Sequence, residues 1–153
     1  MNLIVGATGT LGTEICRLLI SAGKPVRGLV RPTSNGDKVA MLDALGVNLV
    51  LGDLKDRKSL DTACRGARAI ISTASSTFSR QEGDSIQSVD LQGQLSLLEA
   101  AKAAGVAHFV LVSFASVEDE FPLQTAKRTV EEHLKASGIP TPSCSPQHSW
   151  RYG

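Results

Sequence analysis

Three glycines, Gly6, Gly9 and Gly12, stand three residues apart in Val5-Gly6-Ala7-Thr8-Gly9-Thr10-Leu11-Gly12. The residues before them, Asn2-Leu3-Ile4-Val5, are short, apolar and end on a β-branched side chain. The residues after them, Glu14-Ile15-Cys16-Arg17-Leu18-Leu19-Ile20, place apolar side chains at helical spacing. A bare glycine triplet is a weak motif, and most chance matches are plain turns. A strand before it and a helix after it make it a phosphate cradle. Gly6 allows the tight turn, Gly9 lets backbone approach a pyrophosphate, and Gly12 lets the helix lie close to the strand. Thr8, Thr10 and Leu11 lie between these glycines, where the unpaired amides and positive dipole end of the new helix meet a diphosphate.

The remaining totals narrow the class. A chain of 153 residues fits one domain able to bury a core, and 42% hydrophobic with 20% charged residues is ordinary for a globular protein. A net charge of +1 and 4% aromatic residues give no case for a nucleic acid or an anionic membrane as partner. No apolar run reaches the roughly 18 residues of a membrane span. The first strand starts at residue 2, which leaves no room for a signal or transit peptide, so a cytoplasmic location is expected. Cys16, Cys64 and Cys144 have no metal-ligand spacing, and no metal site is expected; Cys16 and Cys64 fall in helical stretches and read as small core residues.

Apolar runs and glycine stops alternate along the chain. Strands are expected over residues 3–5, 25–30, 47–51, 67–73 and 107–112. Helices are expected over residues 10–22, 37–45, 56–65, 84–104 and 120–137, most of them closed by glycine. A polar turn spans residues 32–36 and a serine-rich loop residues 74–81. Such alternation predicts a three-layer, doubly wound α/β fold with a parallel sheet of five strands, and with the glycine turn after the first strand the expected form is a Rossmann fold of order 3-2-1-4-5. The ligand site then lies beyond the carboxyl ends of the strands, with Ala74 and Ser75 after the fourth strand among its walls.

The end of the second strand chooses the cofactor. A site that prefers NAD places an acid there for the ribose 2′-hydroxyl. Here the chain reads Leu29-Val30-Arg31-Pro32-Thr33-Ser34, with no acid. Arg31 offers instead a guanidinium for a bidentate pair with a 2′-phosphate, assisted by Ser34 and Lys38. NADP(H) is therefore expected ahead of NAD(H). Asp53, with Leu54 at the end of the third strand, either accepts from the adenine amino group or caps the next helix.

Together these stretches resemble the NmrA-like, atypical branch of the short-chain dehydrogenase/reductase superfamily. The resemblance runs over residues 1–140. It is carried by Gly6 to Gly12, Val30-Arg31-Pro32, Gly52-Asp53-Leu54-Lys55-Asp56, Val89-Asp90-Leu91-Gln92-Gly93, Gly105-Val106-Ala107-His108-Phe109-Val110 and Ala126-Lys127-Arg128-Thr129-Val130-Glu131. It implies an NADP(H)-binding domain followed by a small C-terminal substrate domain. Members are reductases of small molecules or redox-sensing regulators that bind the nucleotide without turnover.

The resemblance also implies a Tyr-x-x-x-Lys helix. Its tyrosine is the acid, its lysine lowers the tyrosine pKa and holds the nicotinamide ribose, and a serine after the fifth strand orients the carbonyl. Lys127 fits the lysine, on one helical stripe with Leu123, Val130 and Leu134, and is expected to point inward. Ser113 or Ser116 stands at the serine position. The tyrosine position is Leu123, which has no proton to give. Neither a Gly-x-Ser-x-Gly elbow, a His-Glu-x-x-His pair nor a Gly-Lys-Ser/Thr ending is present. His108 and His133 read as structural or solvated, and Glu99 with Lys102 as a solvated pair.

Residues 141–153 depart from the pattern. Two prolines, several small polar residues and no alternation argue against a strand there. With codons chosen among synonyms, restoring one base ahead of this stretch turns it into Tyr-Thr-Ile-Leu-Gln-Pro-Pro-Ala-Phe-Met-Glu-Val-Trp, which resembles the family after its Ser-Gly-Ile-Pro. The expectation is an out-of-frame end with the substrate domain missing, and a fifth strand left as an edge through which copies of the chain associate.

Overall fold

In the computed structural model, which describes residues 1–79, 81–115 and 118–142, five parallel strands make one sheet. They are β1 (Asn2–Val5), β2 (Val26–Val30), β3 (Asn48–Leu51), β4 (Ala69–Ser72) and β5 (His108–Leu111). Their spatial order is β3-β2-β1-β4-β5, the expected one. β1 is central, with Val5 beside Leu29 of β2 and Ser72 of β4. The direction of winding therefore reverses between β1 and β4, which leaves a crevice above their carboxyl ends.

The two-residue period of β1 distributes the core. Leu3 and Val5 face one side with Ile70, Leu97 and Phe109, while Ile4 faces the other with Ala7, Cys16, Val30 and Leu42. α1 (Thr10–Ser21) and α2 (Gly36–Ala44) supply the second cluster. α3 (Arg57–Cys64), α4 (Gln94–Ala103) and α5 (Pro122–Ala136) supply the first. Cys16 and Cys64 are fully buried, and burial pushes both thiols up to about 11, so they are core residues as expected.

One element differs from expectation. The stretch expected as a single helix over residues 84–104 enters through a π-helical segment, Ile86–Gly93, before continuing as α4. The wider turn directs Asp90 and Gln94 into the interior, where both are fully buried. Ser85 and Ser88 cap its start reciprocally. At its end a Cβ on Gly93 would lie 2.8 Å from Leu54 Cβ, so the helix rests directly on the loop after β3.

Among the described residues β5 has one neighbour in the sheet, and Phe109 N–H on its outer side donates to Pro140 O at 3.2 Å. The chain after α5 thus begins to run beside that edge, and Ile139 packs on the core. The expected out-of-frame stretch lies, from residue 143 onward, outside the described residues. No helix among the described residues is long and apolar enough to cross a membrane.

Candidate functional site

The crevice at the switch point is a cleft of about 570 Å³. Its floor is the glycine turn. Gly6 has a φ of 88°, and a Cβ there would meet Thr73 Oγ1 at 2.6 Å, so β1 and β4 close under the turn. A Cβ on Gly12 would fall 2.1 Å from Gly6 O, which shows how tightly α1 sits on the strand end. Gly9 differs: its Cβ position meets only Gly6 O, at 3.3 Å, and otherwise opens into the cleft. Gly9 is also the N-cap of α1, and no side chain caps the first turn. The amides of Thr10 and Leu11, which line the cleft, are thus left for a ligand, while Gly12 is buried against the strand end and does not line it. Thr13 Oγ1 turns away to Ala7 O at 2.9 Å.

The expected residues Gly6, Thr8, Gly9, Thr10, Leu11, Arg31, Ser34, Asp53, Leu54, Ala74 and Ser75 all line this cleft, with Lys38. Ser34 Oγ accepts from Arg31 N–H at 2.9 Å and fixes the turn after β2. Asp53 Oδ1 accepts from Lys55 N–H, while the cap of α3 is Asp56, which accepts from Lys58 N–H. Of the two readings of Asp53, the helix cap thus belongs to its neighbour. The cleft side of Asp53 remains available.

Sequence reasoning passed over Asp84, treated only as a helix start. Its side chain is 2% exposed and accepts three hydrogen bonds: from Arg31 Nη1 at 2.7 Å, from Lys55 Nζ and from Ser79 Oγ. Burial pushes this carboxyl up, yet the bonds from Lys55, Ser79 and Arg31 outweigh it and hold the pKa at about 2. Arg31 is 36% exposed, and among the described residues no hydrogen bond engages its Nε or Nη2.

A second buried network lies under the loop after β4. Gln94 accepts from Ser72 Oγ at 2.9 Å and donates to Ala74 O at 3.1 Å. Asp90 Oδ2 accepts from Ser76 N–H at 3.0 Å and Ser76 Oγ at 2.6 Å. Asp90 Oδ1 faces Lys127 Nζ at 3.6 Å. Lys127 is buried, as its apolar stripe predicts, but its ammonium meets this carboxylate and the residue is not among those lining the cleft. Burial pushes the ammonium below the ordinary lysine range, against the pull of Asp90. Ser113 is exposed, and its Oγ accepts from Arg128 Nη1 at 3.4 Å; it does not line the cleft either. Ser116 lies outside the described residues. The sequence signal for Asp90 and Gly93 was their shared motif, Val89-Asp90-Leu91-Gln92-Gly93; for Asp84 and Gln94 there was none.

Comparison with known proteins adds to this geometry. The model of the NmrA-like family matches residues 2–147. The photosystem II assembly factor Ycf39 of Cyanophora paradoxa is 40% identical over 139 residues, 90% of this chain and 42% of that protein. The NAD(P)H azoreductase of Xenophilus azovorans is 32% identical over 141 residues, 91% of this chain and 45% of that protein. The solved NADPH-dependent quinone oxidoreductase QOR2 of Escherichia coli, complexed with NADPH, superposes with a TM-score of 0.71 at 26% identity. That overlap covers 92% of this chain and 47% of that one. The chain spans less than half the length of these relatives.

Proposed function

This chain belongs to the NmrA-like family, and we propose that its cleft binds a nicotinamide dinucleotide, NADP(H) ahead of NAD(H). One observation carries the reading: an uncapped helix start and a guanidinium with an unengaged edge open into the same cleft. The amides after Gly9 take the pyrophosphate, and Arg31, with Ser34 and Lys38, takes the 2′-phosphate. Asp53 and Leu54 bound the adenine, while Ala74 and Ser75 bound the nicotinamide end. The NADPH in the QOR2 structure supports this assignment.

The cofactor supplies a hydride when bound. Leu123 stands where the superfamily has its tyrosine and offers no proton. Lys127 is held by Asp90, and through Asp90 it braces Ser76 and the loop bearing Ala74 and Ser75. The second reading, a nucleotide-sensing regulator or assembly factor without turnover, is favoured by this missing acid and by the likeness to Ycf39.

Fluorescence titration with NADPH and NADH tests the first reading. NADPH should bind more tightly, and Arg31→Ala should bring its affinity down to that of NADH. Absence of binding by either cofactor would overturn it. Following NADPH oxidation with a quinone or an azo dye separates the two readings, since steady consumption would exclude the regulator.

A further inference from the structure

We propose that Asp84 is a positioning residue that makes Arg31 selective, and thereby sets the preference for a 2′-phosphorylated over an unphosphorylated dinucleotide. The inference rests on the reading of the cleft as a dinucleotide site.

Both residues line the cleft, but the side chain of Asp84 is 2% exposed and that of Arg31 36%, so the guanidinium is the part of the pair that a ligand meets. Asp84 binds Nη1 alone, at 2.7 Å. The Nε–Nη2 edge, two parallel donors in one plane, takes no hydrogen bond among the described residues, and such an edge matches two phosphate oxygens. An unsupported arginine at a strand end would populate many rotamers, and ordering it would subtract from binding.

The charges agree with this geometry. An acid next to a phosphate site would repel its ligand if it were uncompensated. Here Lys55 Nζ holds the other oxygen of Asp84, so the positive charge of Arg31 is not cancelled. Ser79 Oγ completes the acceptor set. The three donors come from three places: the end of β2, the loop after β3 and the loop after β4. Asp84 therefore joins the walls of the adenosine half around the group that reads the ribose.

The test measures NADPH and NADH affinity for the 153-residue chain and for Asp84→Ala, Arg31→Ala and the double variant. Adenosine 2′,5′-bisphosphate and ADP serve as smaller probes. Asp84→Ala should weaken NADPH and the bisphosphate about tenfold, the size of one charged hydrogen bond, with NADH and ADP within about twofold. Arg31→Ala should cost as much, and the double variant should cost no more than Arg31→Ala alone. Should Asp84→Ala fail to fold, Asp84→Asn keeps the shape and is expected to shift the same ratio. An equal loss for all four ligands would reduce Asp84 to a prop for the loop and overturn the proposal. Unchanged or tighter NADPH binding would make Asp84 a competitor and overturn it as well. If Arg31→Ala leaves the preference for NADPH intact, or if the unaltered chain binds none of the four, the reading of the cleft fails first and the inference falls with it.

Discussion

Gly9 and Gly12 are three residues apart and answer to different neighbours. A methyl group on Gly12 would drive into Gly6 O, whereas one on Gly9 would project into the cleft. Gly12→Ala is therefore expected to cost about 3 kcal/mol of stability, the scale of overpacking against backbone, read from urea midpoints. Gly9→Ala should stay within about 1 kcal/mol of the unaltered chain, because its φ of −76° suits any residue, yet it should bind NADPH poorly. Asp84 makes a second prediction. Its carboxyl sits at about 2 in the folded chain against an ordinary 3.8, so the folded state releases its proton more readily than the unfolded one. The stability it contributes is complete above the unfolded value and is lost as pH falls towards 2. The gap in urea midpoint between the unaltered chain and Asp84→Asn should narrow from pH 5 to pH 2. A gap that stays constant would show that charge is not what Asp84 contributes. The buried thiols make a third. With both pushed up to about 11, Cys16 and Cys64 should resist alkylation at pH 8 until urea is added, as mapped by mass spectrometry.

The elements themselves were legible because their causes are local. Apolar runs of four or five residues, each closed by a turn, mark the strands, and glycines at positive φ such as Gly23, Gly46 and Gly105 mark where helices stop. The glycine turn, Arg31 and the ends of β2 and β3 were legible for the same reason. What could not be read was set by partners far along the chain. Arg31 and Asp84 are 53 residues apart, and nothing near either one announces the other. The π-helical segment is another case. Its first turns keep an apolar pattern compatible with 3.6 residues per turn, and only the demand to bury Asp90 and Gln94 beneath the loop after β4 selects the wider winding. That demand yields a prediction for the element. Lys127→Met strands a buried carboxylate and should cost about 3 kcal/mol, while Lys127→Met combined with Asp90→Leu should cost less than the sum of the two single changes. Additive costs in chemical denaturation would show that the two groups, 3.6 Å apart, do not act as a pair.

For the whole molecule, the sheet is a two-sided core whose upper rim is polar, and the cleft gathers residues from the ends of β1, β2, β3 and β4. A ligand bound there ties four strands together, so its binding energy becomes folding energy. At a hundredfold excess over Kd, NADPH should add about 2.7 kcal/mol and raise Tm by about 5–10 °C, followed by differential scanning fluorimetry. An unchanged Tm under those conditions would mean that the nucleotide does not engage the folded state. The loop after β4 has two moorings of unlike character. Ser76 is tied inside the protein to a carboxylate that water does not reach, while the outer end is tied through Arg31 and Lys55, both about a third exposed. Mobile ions screen charges at the surface over a Debye length of about 8 Å at physiological ionic strength and leave buried ones nearly untouched. Added salt should therefore loosen the outer mooring and spare the inner one, so that deuterium uptake rises first around Asp84 and only later around Ser76.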